Sequence, residues 1–280
     1  MPKGNSIHIG LNQVDPRHYH GWDGQLQACE ADAHDMHDIA KARGFSPTVL
    51  LTKDATAQAV SDALTSAASE LEAGDMLLLT YSGHGGQVPD RHGGDEGADA
   101  QDETWVLYDR MLVDDELYAL WAAFKRGVRL LVLSDSCHSG TVSRNAMDAL
   151  TGARETRAMI GDDAPRFRDL PLDVQRETYR EHKALYDGIQ RDHARGDQAK
   201  VAASVILISG CQDNQLSQDG DRNGLFTQCL REVWNDGGFR GGYRRFHRDI
   251  AGLMPPWQSP NFFWATSRDE HFERKRPFTL

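Results

Sequence analysis

Apolar and polar positions along this chain fall into short segments of two kinds. Ser6–Leu11 alternates apolar with polar residues, as a half-buried strand does. A loop rich in Gly, His and Asp runs on to Gln25. Cys29–Arg43 carries Ala28, Ala31, Met36, Ile39 and Ala40 at helical spacing, with Gly44 as its stop. Pro47–Thr52 predicts a second strand. Val60, Leu64, Ala68 and Leu71 mark a helix capped by Asp54 or Thr56 and ended by Gly74. Asp75–Ser82 and Val128–Ser134 are nearly continuous apolar runs, the pattern of strands buried on both faces. Leu117, Leu120, Trp121 and Phe124 form the stripe of a helix between them, with Asp114 as its cap and Trp105–Tyr108 as part of a surface hairpin before it. Gly83–Thr104 is glycine-rich and acidic, and no periodicity supports an element in it.

The second half is less regular. Thr141–Lys200 is polar and charged, with a helical stretch expected near Asp173–Arg195. Ser204–Ser209 reads as a buried strand. Leu225, Phe226, Cys229, Leu230, Val233 and Trp234 make a helix face ended by Gly237 and Gly238. Tyr243–Leu253 predicts another helix, stopped by Pro255, and Asn261–Thr266 a last strand. Strands alternating with helices imply an α/β fold with a mainly parallel central sheet flanked by helices. One domain is expected over 1–280, with a charged insertion at 141–200 separating the regions 1–140 and 201–280.

Composition narrows the function classes. The 280 residues are 39% hydrophobic and 26% charged, which suits a globular core. A net charge of -11 disfavours nucleic acid and favours basic ligands. Four dispersed cysteines without a CxxC pair make no disulfide framework. There is no apolar run approaching membrane-spanning length and no leader-like segment after Met1. These features predict a cytoplasmic protein with no membrane partner, and a monomer is expected.

The two apolar runs end in loops that carry chemistry. One ends in Ser82-Gly83-His84-Gly85-Gly86, the other in Ser134-Asp135-Ser136-Cys137-His138-Ser139-Gly140. Open α/β sheets place their sites at such carboxyl ends. A thiol becomes a nucleophile when a base takes its proton, and histidine is the usual base. Cys137 and His84 therefore form the candidate pair, against the plain alternative of a structural buried cysteine. Gly85 and Cys137 are the candidate backbone donors to an oxyanion. His138, adjacent to the cysteine, is a poor substitute for His84.

These residues resemble the metacaspases and orthocaspases, the caspase-like cysteine peptidases. Tyr81-Ser82-Gly83-His84-Gly85 and Asp135-Ser136-Cys137-His138-Ser139-Gly140 resemble the family's two catalytic motifs. The histidine lies about 50 residues before the cysteine, as in caspases. Similar stretches run from Leu26 to Ala33, from Gly94 to Glu103, from Ser209 to Gln215 and from Gly224 to Thr227. The resemblance implies a caspase-like (caspase–hemoglobinase) fold and a Cys–His dyad. It also implies that Asp135, Asp32, Ser82 and Cys29 line the pocket for the side chain before the cut bond. Two carboxylates there favour Arg or Lys, since a guanidinium can pair bidentately with a carboxylate. Asp32 merely supporting its helix is the structural alternative.

No cofactor is required by this chemistry, but Ca²⁺ is a possible one. Asp99, Asp114 and Asp115 match calcium-binding positions of some metacaspases, whereas Arg144 stands near a further aspartate of the family pattern. Asp114 and Asp115 also suit a helix start. Cys29, His34 and His37, or His18 and His20, read more simply as solvated or structural than as zinc ligands. The six tryptophans read as packing residues, with Trp22 a candidate pocket wall. Nine arginines lie between Arg144 and Arg195, and Arg144, Arg154 and Arg157 are nearest the cysteine loop. A basic-specific peptidase with such a segment is a candidate for self-processing there. The expected partners are thus proteins or peptides with a basic residue before the cut bond. The alternatives are an idle caspase homologue serving as a binding scaffold, and a metal-dependent hydrolase built on the acidic loop.

Overall fold

The computed structural model describes residues 2–90, 101–136, 166–193, 201–212 and 215–280. Cys137, Asp99, Arg144, Arg154 and Arg157 lie outside them. Six strands form the central sheet: β1 (Gly4–Gly10), β2 (Ser46–Leu51), β3 (Met76–Ser82), β7 (Arg129–Asp135), β9 (Ser204–Ser209) and β11 (Asn261–Trp264). Their order is β11-β9-β7-β3-β1-β2, all parallel except β11, which runs antiparallel to β9. β3 and β7 occupy the middle, and every residue of both is buried. Helices α1 (Cys29–Ala42), α2 (Ala57–Glu70) and α3 (Asp114–Ala122) connect the first strands.

The pleat divides the core in two. On one face Leu77, Leu79 and Tyr81 of β3 and Leu130 and Val132 of β7 meet Val60 and Leu64 of α2 and Trp121 of α3. On the other, Met76, Leu78, Leu131 and Leu133 meet Met36 of α1. Phe226 and Leu230 of α6 (Leu225–Trp234) and Phe246 and Ile250 of α7 (Tyr243–Ala251) complete that layer. A fully buried Leu contributes about 1.5–3 kcal/mol, so both layers are strong.

The described parts of Gly83–Thr104, residues 83–90 and 101–104, are more ordered than their composition predicts. β4 (Gly85–Pro89) pairs antiparallel with β5 (Gln101–Val106), and β5 with β6 (Met111–Val113). Cross-strand pairing holds this small sheet, which a search for apolar periodicity overlooks. Asp114 is the first residue of α3 rather than its cap. Val113 occupies the cap position, and Glu116 reaches back to the Val113 N–H at 3.1 Å. Within the charged insertion, β8 (Arg166–Phe167) precedes α4 (Leu172–Glu181) and α5 (Lys183–Asp192). β8 pairs antiparallel with β10 (Gln218–Asp219). A short helix, α8 (Glu270–Arg274), follows β11. Among the described residues no helix is long and apolar enough to cross a membrane.

Candidate active site

The register of the two central strands builds the site. Ser82, at the end of β3, pairs in parallel register with Asp135, at the end of β7. Alternation puts both on the α1–α6 face of the sheet. Asp32 comes from the first turn of α1 and is 1% exposed. The sequence placed Ala31 on that helix's buried face; the structure buries Asp32 and leaves Ala31 partly exposed. Ser82 Oγ donates to Asp32 Oδ2 at 2.7 Å.

Arg168 fills the space between these residues and is 0% exposed. Its Nη2 meets Asp32 Oδ2 at 2.8 Å and Asp219 Oδ1 at 3.0 Å, and its Nη1 meets Asp135 Oδ2 at 2.9 Å. Nη1 also donates to Ser82 Oγ at 2.9 Å and to the Asp135 carbonyl at 3.1 Å. Each carboxylate has further donors. Asp135 accepts from Ser217 Oγ at 2.6 Å and Thr227 Oγ1 at 3.0 Å. Asp32 accepts from Asn223 Nδ2 at 2.9 Å and the Gly224 N–H at 3.1 Å, and Asp219 from the Gln27 N–H at 2.8 Å. A Cβ on Gly224 would lie 2.5 Å from Arg168 Nη2, so glycine leaves room for the guanidinium.

The charges in this pocket act on one another. Burial works against the Arg168 charge, but Asp135, Cys29, Asp32 and Asp219 together raise its pKa well above the ordinary value. Burial pushes the Asp32 carboxyl up to about 6, with Arg168 opposing and Asp135 reinforcing the rise. Burial also raises the Cys29 thiol, which stays protonated.

His84 is 4% exposed and stands at the same strand ends. Its Nε2 lies 2.9 Å from the Gly24 carbonyl, which can only accept, so Nε2 carries the hydrogen. Nδ1, buried and without a hydrogen-bond partner, keeps its lone pair. Burial lowers the pKa to about 4, so the ring is neutral near pH 7. Tyr81 Oη donates to the His84 carbonyl at 2.6 Å, and the Val106 N–H donates to it at 3.0 Å. Tyr81 stacks on Trp105 at 4.5 Å, and Trp22 lies 4.7 Å from the imidazole. The Gly85 N–H donates to the Arg168 carbonyl at 3.0 Å. Ser136, the last described residue of the cysteine loop, is 0% exposed, and its carbonyl accepts from Cys211 Sγ at 3.3 Å. Cys137 follows it directly in the chain.

A model of the caspase domain matches residues 14–269. The chain belongs to the caspase domain family. Its resemblance to metacaspases extends over most of its length. Metacaspase-1 of Mycosarcoma maydis is 27% identical over 248 residues, which is 80% of this chain and 60% of that protein. Metacaspase-1 of Saccharomyces cerevisiae is 29% identical over 268 residues, 81% of this chain and 57% of that protein. This caspase domain thus spans less than two thirds of the curated relatives it matches. The crystal structure of protein GSU0716 from Geobacter sulfurreducens is 52% identical, with a TM-score of 0.88 and 99% of both chains covered. Caspase-1 of Spodoptera frugiperda shares the fold, with a TM-score of 0.53 at 12% identity, covering 95% of this chain and 88% of its own.

Asp32, Ser82, Cys29, Asp135, His84 and Gly85 therefore gather at one end of the sheet. Sequence reading missed Arg168, Asp219, Ser217, Asn223 and Gln258. Gln258 Nε2 bridges Ser217 Oγ at 2.9 Å and the Gly210 carbonyl at 3.0 Å, which steadies the loop leading into β10. No spacing rule marks these residues.

The metal candidates are more scattered. Asp114 and Asp115 sit together in the first turn of α3, with the Asp115 N–H donating to Asp114 Oδ1 at 2.9 Å. Among the described residues no three His, Cys, Asp or Glu side chains gather to hold an ion. A calcium site on Asp99, Asp114 and Asp115 would need Asp99, so no step is routed through calcium. His34 is exposed, His37 Nδ1 lies 2.8 Å from Asp38, His18 stacks on His182 at 4.0 Å, and His20 meets Glu181 at 2.8 Å.

Proposed function

We propose that this domain is a cysteine endopeptidase that cuts after Arg or Lys, with Cys137 as nucleophile and His84 as its base. The observation that carries the reading is Arg168. Its guanidinium is fully buried against three carboxylates and its backbone carbonyl faces the Gly85 N–H, the arrangement a basic residue before a cut bond would need.

His84 Nδ1 takes the Cys137 thiol proton, and the thiolate attacks the carbonyl carbon of the basic residue. Gly85 and Cys137 N–H groups hold the oxyanion. The carbon–nitrogen bond breaks as His84 returns the proton to the leaving amine. Water then attacks the thioester, giving its proton to His84, and the carboxylate product and free thiol are released. Asp135, Asp32 and Asp219 read the basic side chain, while Ser82 and Cys29 shape the pocket. Substrates are proteins or peptides. A cytoplasmic, reducing setting for a monomeric enzyme fits the buried free thiols of Cys29, Cys211 and Cys229. Self-processing in 141–200 follows from the same preference.

A panel of fluorogenic peptides varying the residue before the bond tests this, with wild type and Cys137→Ala, with and without Ca²⁺. Arg and Lys peptides should be cut by wild type alone. Preference for Asp, or activity retained in Cys137→Ala, sinks the proposal. Absence of cleavage of any peptide, with Cys137 not labelled by iodoacetamide, would select the scaffold role instead.

A further inference from the structure

The helical part of the charged insertion lies against the loop that orients His84. The Gly24 carbonyl accepts the His84 Nε2 hydrogen at 2.9 Å, so the place of Gly24 decides which ring nitrogen carries the hydrogen. Gly24 has a φ of +58°, and a Cβ on it would lie 2.8 Å from the Trp22 ring, so the turn is tight and needs glycine. The Val14 N–H donates to the Asp23 carbonyl at 2.9 Å, and the Trp22 N–H to the Tyr19 carbonyl at 2.9 Å, which ties the turn into its own loop. The loop has two anchors. One is the connection between β5 and β6, where the Leu107 carbonyl accepts from Tyr19 Oη at 2.6 Å and the Tyr108 carbonyl from the Asp15 N–H at 2.8 Å.

The other anchor is the junction of α4 and α5. Tyr186 is 0% exposed, and its Oη lies 2.7 Å from His18 Nε2 and 3.2 Å from the Met111 nitrogen. The Met111 N–H can only donate, so the hydroxyl accepts from it and gives its own hydrogen to His18 Nε2. The Tyr186 N–H donates to the His182 carbonyl at 3.2 Å, and the His182 ring stacks on His18 at 4.0 Å with the planes 7° apart. His20 Nδ1 meets Glu181 Oε1 at 2.8 Å. Glu181, His182 and Tyr186 thus grip residues 18–20 from one junction. A packing role would be met by the Tyr186 ring, which sits with Val14, Tyr19 and Met111 in an apolar cluster. The hydroxyl adds what the ring does not: it joins the loop, β6 and α5 at a single oxygen.

We propose that Tyr186 is a positioning residue for His84, acting through His18 and its loop to hold the Gly24 carbonyl against Nε2. This rests on the peptidase reading above. The helices of the insertion are then part of the catalytic apparatus and not a spacer between two halves of the domain. No bond changes at Tyr186. Its contribution is to keep His84 in the tautomer with its hydrogen on Nε2 and its lone pair on Nδ1, the nitrogen that takes the thiol proton. Loss of the group that orients a catalytic histidine costs about 10⁴ in kcat in Ser-His-Asp peptidases. Tyr186 acts through the loop and carries a smaller part, about tenfold.

NMR reads His84 directly. In the full chain carrying Cys137→Ala, ¹⁵N spectra of the imidazoles at pH 7 should show His84 with its hydrogen on Nε2. Tyr186→Phe, which keeps the ring and removes the hydroxyl, should move His84 toward a mixture of the two tautomers. With Cys137 present, the same substitution should lower kcat for an Arg fluorogenic peptide about tenfold and leave KM within about twofold, because the carboxylate pocket is built on other elements. His18→Phe, which keeps a stacking ring, should match it, and His18→Gln, whose side-chain carbonyl can accept from the hydroxyl, should lose less. A folded Tyr186→Phe with an unchanged His84 tautomer or an unchanged kcat overturns the proposal, as does a loss confined to KM or to stability in urea. Should Tyr186→Phe fail to fold, His18→Phe decides by the same readouts. If wild type cuts no peptide, the tautomer decides alone: a shift in Tyr186→Phe upholds the positioning and condemns only the peptidase reading.

Discussion

The two faces of β3 and β7 are made by the same residues read alternately, yet they do different work. On the α2–α3 face, Leu77, Leu79, Leu130 and Val132 are buried in apolar contacts only. On the α1–α6 face the apolar positions give way to Thr80, Ser82 and Asp135, and His8 of β1 lies there too, between Ser6 Oγ and Thr80 Oγ1 at 2.9 Å each. One face holds the sheet together by burial. The other spends its last turn of pleat on buried charge, which adds little to stability. Buried charge and apolar packing are thereby separated by a single step along the strand.

The largest expected break in that division is at Asp135. Asp135→Asn removes the carboxylate opposite Arg168 and should lower kcat/KM for Arg peptides by about 10²–10³, since breaking a buried charge pair costs about 3–5 kcal/mol. Steady-state kinetics checks this; a loss under tenfold would mean that Asp32 and Asp219 suffice. The apolar face gives the converse. Leu79→Ala should cost about 2–5 kcal/mol in urea unfolding, as buried Leu truncations do. Its peptide kinetics per folded molecule should match wild type, and a changed Arg-over-Asp preference would show that the faces are coupled.

A smaller effect comes from pH. Burial lowers His8 to about 3 and His18 and His84 to about 4, from an ordinary 6.5. The unfolded chain therefore binds more protons below pH 6.5, and stability should fall as pH drops from 6.5 toward 4. Asp32, raised to about 6, acts oppositely between about 6 and its ordinary 3.8, because only its folded form is protonated there. Three histidines against one carboxyl predict a net loss of stability on acidification. His8→Asn should flatten the slope of stability against pH, measured by urea unfolding at pH 7, 6 and 5; an unchanged slope would place the burden on the other two.

Much of this was legible in the sequence. The apolar runs marked β3 and β7, the motifs at their ends marked His84 and Asp135, and the family resemblance of Leu26–Ala33 marked Asp32. The strands β4, β5 and β6 were not legible, because they are defined by pairing with one another rather than by alternation along the chain. Arg168 was not legible for a different reason. It is one of nine arginines in a charged stretch, and nothing local distinguishes it from its neighbours.

Local order determined the elements and the chemistry they carry, since strand and helix periods and a Cys–His pair of motifs are written in neighbouring residues. Tertiary structure alone decided which charges meet. Asp32, Asp135 and Asp219 come from three separate segments and become one site only because parallel register aligns Ser82 with Asp135 and α1 crosses above them. A buried charge requires a partner. Which arginine serves is set by where the chain can bring one, and here the strand pairing of Arg166 and Phe167 with β10 brings Arg168.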